Sequence, residues 1–439
     1  MGRADDASWR AAERGLAEAA GNGTFTAAAA LAAEARGSGQ GGGERKYEAF
    51  VGTLGGTQDA RPTNAATMFD LASLTKVLAT TTTVAWLVEH GMLALDQHVG
   101  SDALLGKYGF ARNGKANMTV RHCLAHAAGY PPDPAPNYWQ PSFQCPQGGL
   151  GPGPYPATSS FACADRVLSA LANQTLDYAP GDYSHTRYSD LSFITLAFAA
   201  GAAARAHAST LLPLAAGGVL DGCPPLGSVG GRALLCAFEW TYRAVVLPRG
   251  SAGRADAYPR FLPLLGRPQS PGGPCALTAL PENEVPLFKH EPAPLQCRVE
   301  DGNAELLGGI SGHAGLFGSL AHVAALVTDF WLPGGELAPS TRAEFTSLVA
   351  PGRSTRALGW DTNHRGSYDE GFSGVCGDVL PASSFLHIGY TGTMVCVSND
   401  ALLILLTNRA YPVDDDESRK AIKGVRRAFA EAAARAVGL

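Results

Sequence analysis

The sequence has no basic run and no excess of positive charge: over 439 residues its formal net charge is −5. It therefore lacks the electrostatic footprint that a polyphosphate backbone requires, and nucleic acid is not an expected partner. No uninterrupted apolar stretch approaches the ~20 residues that cross a bilayer, so no membrane span is expected. The opening MGRADDASWRAAERGLAEAA interleaves charge with alanine and has no apolar leader segment. Asp6 stands where a myristoylation signal carries Ser or Thr. The nine cysteines are odd in number, dispersed and free of any C-x-x-C pair, which reads as buried or free thiols in a reducing compartment. A cytoplasmic location is the expectation, and the sequons at Asn22, Asn117 and Asn173 are not expected to carry glycans. Also missing are an internal repeat and the H-E-x-x-H spacing of a zinc hydrolase. A G-x-S-x-G elbow is absent too: the nearest segment, GISGH from Gly309, has His313 where glycine is required. No metal and no cofactor are expected.

What is present is the composition of a globular chain, 46% hydrophobic and 17% charged. Trp9 to Ala20 has the pattern of an amphipathic helix closed by GNG. FTAAAALAAEARG and YEAFVGTL read as two strands around a Gly-rich loop. A helix is predicted from Ser73 to about Gly91, with apolar positions at Leu74, Val77, Leu78, Val84, Leu87 and Val88. Residues 101–205 read as helical with Pro/Gly-rich excursions, and 206–280 as an insertion without assignable structure. SFLHIGYTGTMVCVSNDALLILLTNR reads as a hairpin around Ser398–Asp400, and ESRKAIKGVRRAFAEAAARAVGL as a closing amphipathic helix. Strands from both chain ends flanked by helices give an α+β class: an antiparallel sheet built from 8–100 and 300–439, plus the helical region, in one catalytic domain.

The chemistry concentrates in FDLASLTKVLAT. Ser73 and Lys76 lie three apart at a helix start and so share a face. A serine hydroxyl needs a base to become a nucleophile, and lysine can lose its proton where arginine cannot. Only seven of the 34 basic residues are lysines, yet position 76 is one of them. Alone the spacing is weak evidence: 26 serines and seven lysines give S-x-x-K about 0.4 times by chance. A polar helix start with a snorkelling lysine explains these four residues equally well.

Further segments decide between the two. TMFDLASLTKVLATTTTVAWLVEHGMLALDQHV, MTVRHCLAHAAGYPPD, PGDYSHTRYSDLSFITLA, LGGISGHAGLFGS and HIGYTGTMVCVSNDALLILLTNR occur in that order. Together they resemble the motif regions of the serine β-lactamase-like family, which includes class C β-lactamases, DD-peptidases and β-lactamase-fold esterases. The resemblance implies Ser73 as the acylated nucleophile, with Lys76 and Tyr188 sharing its proton in an order the sequence leaves open. It implies the backbone N–H groups of Ser73 and Tyr390 as oxyanion donors, and His387 on an edge strand orienting the substrate. Gly389 would keep the backbone open to substrate approach. Asp190 stands where many members have asparagine, and His387 where many have lysine. Both changes point away from efficient β-lactam hydrolysis and toward esters, amides or peptides with less anionic groups. The implied activity is a serine hydrolase working through an acyl-enzyme: esterase, carboxypeptidase-like or weak β-lactamase. The alternative is a degenerate, non-catalytic binding or scaffold protein on the same fold. His313 reads as a turn-shaping residue.

Overall fold

The computed structural model describes residues 2–35, 46–145, 163–214, 224, 228–250, 255–262, 274–278, 295–364 and 374–439. Its centre is a seven-stranded antiparallel sheet. The strands are β1 (Ala27–Glu34), β2 (Lys46–Gly55), β3 (Asp59–Pro62), β4 (Asp361–Thr362), β5 (Phe385–Ile388), β6 (Met394–Val397) and β7 (Ala401–Thr407), in the order β3-β2-β1-β7-β6-β5-β4. The two chain ends meet in the middle, where β1 pairs β7 with Leu31 opposite Ile404. Helix α1 (Gly2–Gly21) packs beside the C-terminal helix α4 (Asp416–Ala436) on one face. A second core covers the other face, and the central strands are apolar throughout except at their ends, Glu34 and Thr407. In β7, Leu402, Ile404 and Leu406 face one core while Leu403 and Leu405 face the other, and Ala27–Ala33 of β1 divides in the same alternation. Alanine prefers helix in isolation. Here sheet pairing on both edges overrides that preference, and the small side chains fit between two helical layers.

The predicted α+β architecture with an antiparallel sheet and flanking helices is what the chain adopts. Two readings need correction. The β-rich run before Ser398 is two strands, β5 and β6, separated by a turn at 389–393. Within that turn Gly392 has φ +93. Arg426, reaching in from α4, donates to the carbonyls of Gly389, Gly392 and Thr393 at 2.6, 3.2 and 3.2 Å and holds the turn. β5 is consequently one strand in from the edge, because two-residue β4 lies outside it.

The cysteines are the second correction. Cys145–Cys163, Cys275–Cys297 and Cys376–Cys396 are disulfides, with Cα–Cα separations of 5.6, 5.2 and 5.9 Å. Cys236 is disulfide-bonded as well, and among the described residues only Cys123 is free, buried in the core. The pairing comes from tertiary proximity across 18 to 22 residues, which no short motif announces. Disulfides persist in oxidising compartments, so the basis for expecting a reducing one is gone.

The predicted helix after Ser73 is present, but its opening is a π-helical segment, Lys76–Thr81, leading into α2 (Thr82–Glu89). Thr81 Oγ1 donates to the Lys76 carbonyl at 2.8 Å and Thr82 Oγ1 to that of Val77 at 3.0 Å. These hydroxyls bond back five residues and suit a wide turn, the kind of local irregularity frequent at functional sites. Helix α3 (Asp190–Ala206) runs through the helical half, buried from Leu191 to Ala204. Among the described residues no single helix is long and apolar enough to cross a membrane. The described pieces of 206–280 join the same core. The helix Gly231–Trp240 packs on α3, and Arg260–Phe261 pairs with Leu316–Gly318. The rest of that segment, like the Gly-rich loop before β2, lies outside the described residues.

Candidate active site

Ser73 sits on a tight turn between the short strand Phe69–Asp70 and the π-segment. The residue before it, Ala72, has φ +44, a strained conformation for a side chain with a Cβ. The strain is held from several sides. Asp70 Oδ1 accepts from Ala72 N–H and Asp70 Oδ2 from Glu300 N–H, both at 2.8 Å. Thr391 and Thr393, in the 389–393 turn, donate to the carbonyls of Asp70 and Leu71 at 2.8 and 3.2 Å. The segment around His313 is tied on in turn. Leu316 N–H donates to Thr75 Oγ1 at 3.1 Å, and Thr80 Oγ1 to the Gly312 carbonyl at 2.7 Å. Three distant motifs thus meet at one turn.

Lys76 Nζ is fully buried, 2.8 Å from Ser73 Oγ and 2.7 Å from Asp190 Oδ1, and lies 4.6 Å from the centre of the Tyr188 ring. The Tyr188 hydroxyl is hydrogen-bonded to both Lys76 and Ser73. Burial alone would pull the Lys76 ammonium down, but Asp190 and Tyr188 outweigh it and hold Lys76 above its ordinary value. Burial pushes the Tyr188 phenol up, with Asp190 adding to the rise and Lys76 opposing it. At neutral pH the resting pair is therefore an ammonium and a phenol.

Asp190, expected as the loss of an amide donor, is the counter-charge of Lys76. It opens α3, whose N-terminus suits a carboxylate. Tyr390 lies in the turn and not in a strand, and among the described residues no hydrogen bond uses the N–H of either Ser73 or Tyr390. At Gly389 a Cβ would lie 2.2 Å from Thr393 Oγ1 and 2.7 Å from the Leu71 carbonyl. The glycine lets the turn pack on the Ser73 loop. His387 does not border the cleft. It is buried behind Tyr188, ring centres 6.1 Å apart, and its Nδ1 donates to the Ile388 carbonyl at 2.8 Å. Burial, then the charges of Lys76 and Arg356, holds its imidazole well below the ordinary range, so it is neutral.

Several residues escaped the sequence reading. His313 Nε2 lies 3.0 Å from Asp301 Oδ1, and its Nδ1 lies 2.8 Å from Ser311 Oγ. Asp190, Asp301 and His313 bring a ligand-capable atom each to within 4.8 Å of one another. The Lys76 ammonium already supplies a cation at Asp190, and His313 pairs with Asp301, so the group reads as two ion pairs side by side. Gly312 makes this possible, since a Cβ there would meet the Phe193 carbonyl of α3 at 2.0 Å. The histidine in GHAG was the available signal; Asp301 offered none. Arg356, buried and paired with Asp361 at 3.1 Å, places its guanidinium carbon 5.5 Å from the Tyr188 ring centre.

Ser73, Tyr188, Asp190 and Tyr390 all border a cleft of about 930 Å³. That is ample for a small molecule.

Comparison with known proteins agrees with this architecture. The family described as Beta-lactamase matches residues 39–211. A putative D-alanyl-D-alanine carboxypeptidase of Escherichia coli K12 is 25% identical over 398 residues, covering 86% of this chain and 76% of that protein. Among solved structures, EstCE1, a hydrolase with promiscuous acyltransferase activity, superposes with TM-score 0.57 at 19% identity, covering 97% of this chain and 99% of that one. Simvastatin synthase LovD from Aspergillus terreus, as its LovD6 mutant, superposes with TM-score 0.59 at 15% identity, covering 98% and 97%.

Proposed function

We propose, from this chain's membership in the β-lactamase/serine-hydrolase structural superfamily, that it is a serine hydrolase cleaving small esters or amides through an acyl-enzyme on Ser73. The observation that carries the reading is the buried Lys76 ammonium, 2.8 Å from Ser73 Oγ and 2.7 Å from Asp190, at the floor of an open cleft.

The resting protonation state shapes the mechanism. A charged Lys76 cannot accept a proton, so it first passes one to Asp190 Oδ1, an uphill step over the short 2.7 Å path between them. In a buried site the neutral amine–acid pair avoids much of the desolvation that two charges suffer. The freed Lys76 amine takes the Ser73 proton as Oγ bonds to the substrate carbonyl carbon. The carbonyl π electrons move to oxygen, where the N–H groups of Ser73 and Tyr390 stabilise them; one such donor typically contributes about 10²–10³ in rate. As the tetrahedral adduct collapses, the bond to the leaving oxygen or nitrogen breaks. Tyr188, bonded to both Ser73 and Lys76, hands that atom a proton and recovers one from Lys76. Water then enters by the same relay, and its proton returns to Ser73 when the acyl group leaves.

The test is hydrolysis of short-chain p-nitrophenyl esters by purified protein. Turnover should vanish in Ser73→Ala and fall severely in Lys76→Ala. Ester cleavage that survives Ser73→Ala would move the nucleophile elsewhere.

A further inference from the structure

The wall of the cleft above Ser73 is unusually acidic. Asp70, Asp133, Asp190, Glu300 and Asp301 border it, and the 414–416 aspartate run forms its rim. Part of this charge is neutralised within the protein: Asp190 by Lys76, Asp301 by His313, and Asp414 by Arg409 at 2.5 Å. Asp133 is different. It sits exposed on the loop that follows Tyr130, and among the described residues no hydrogen bond or ion pair engages it. Although its side chain is open to solvent, the surrounding wall takes part of its hydration, and this, ahead of the charges of Asp190 and Asp301, pushes its carboxyl up to about 6. Asp70 on the floor is likewise pushed up to about 6, first by burial. Asp301 acts on both carboxyls and Asp190 on Asp133, so the acidic groups of this cleft repel one another, while Arg419, the basic side chain in the lining, is turned to Asp414 and Asp416 on the rim. Trp139 borders the same space and adds an aromatic surface of the kind that favours an ammonium.

We infer that this cleft selects a cationic substrate, an ester or amide carrying an ammonium group, with Asp133 as the counter-charge. The inference rests on the hydrolase reading of the same site and narrows its substrate class. It also sets the chain apart from a carboxypeptidase, whose substrate ends in a free carboxylate that this wall would repel.

The experiment uses three p-nitrophenyl esters of one acyl length: 4-(trimethylammonio)butyrate, pentanoate and 4-sulfobutyrate. At pH 7.5 and low ionic strength, kcat/KM for the cationic ester should exceed that of the neutral one about tenfold, and that of the anionic one by more. The advantage should shrink as salt is raised. Asp133→Asn should lower the cationic-to-neutral ratio severalfold, and Asp133→Lys should bring it to one or below. A preference for the neutral or anionic ester, or a ratio insensitive to both variants, overturns the inference. Calorimetric binding of the cationic and anionic esters to Ser73→Ala separates the two readings. Charge-selective binding with no turnover by the wild type would sink the hydrolase reading and leave the charge inference standing. Turnover without charge preference would do the reverse.

Discussion

Replacing Asp190 by asparagine removes the one carboxylate that, among the described residues, touches Lys76, 2.7 Å from its Nζ, in a site where Lys76 is wholly buried and Asp190 is 15% exposed. The Coulomb attraction at that distance is roughly 6 kcal/mol at an effective dielectric near 20, and desolvation of both groups offsets part of it. Breaking a buried pair by removing one partner typically costs about 3 kcal/mol or more. Here the system avoids an orphaned charge by releasing the lysine proton, so the loss should emerge as a shift in titration. At ~1.4 kcal/mol per pKa unit, 3 kcal/mol corresponds to about two units. The variant no longer needs the Asp190 relay, because its lysine is a free amine at moderately alkaline pH. Its activity should therefore fall away as pH drops below this lowered Lys76 value, and the acid limb of kcat/KM should lie above that of the wild type, whose relay through Asp190 keeps it active with Lys76 charged. The assay is a pH profile of p-nitrophenyl acetate hydrolysis for both proteins, with circular dichroism to establish folding. An acid limb that stays in place in a folded variant would refute the reasoning, since Asp190 would then not govern the Lys76 proton.

Lys76→Arg keeps a positive charge but cannot give up a proton at accessible pH, so hydrolysis should fall at least 10³-fold at every pH tested. The pair His313–Asp301 should make stability depend on pH. Burial opposes the His313 imidazolium, but Asp301 and then Asp190 outweigh it and hold His313 above its ordinary 6.5. The stabilisation is therefore complete below about pH 6.5 and is lost as pH rises through the elevated value. His313→Gln should remove that slope and lower stability by about 2 kcal/mol at pH 6, read from denaturant melts at pH 6 and 9. Replacing Cys376 and Cys396 together by alanine opens a loop of about 20 residues and should reduce stability by about 3 kcal/mol, seen as a lower urea midpoint.

Much of the fold was legible because its elements carry strong local patterns. The outer helices are amphipathic, and β7 is flanked by a clear turn, so both chain ends could be joined in one sheet. The meeting of Ser73, Lys76 and Tyr188 followed from resemblance together with the i, i+3 rule. The features that escaped depend on contacts between distant segments. Asp190 reads as a missing amide until Lys76 is seen 2.7 Å away. His313 reads as a turn residue until Asp301 closes on it at 3.0 Å. The 389–393 turn looks like continuous strand because its threonines are β-formers; Arg426, more than thirty residues on, is what holds it as a turn. The cysteine pairs share this character, each joining residues about 20 apart with no motif between them.

Reaction of the native protein with a fluorophosphonate, followed by peptide mass mapping, tests the nucleophile most directly. One adduct is expected, on Ser73, formed in the wild type and absent from Ser73→Ala. Label on another serine, or a wild type that stays unmodified while correctly folded, would contradict Ser73 as the nucleophile.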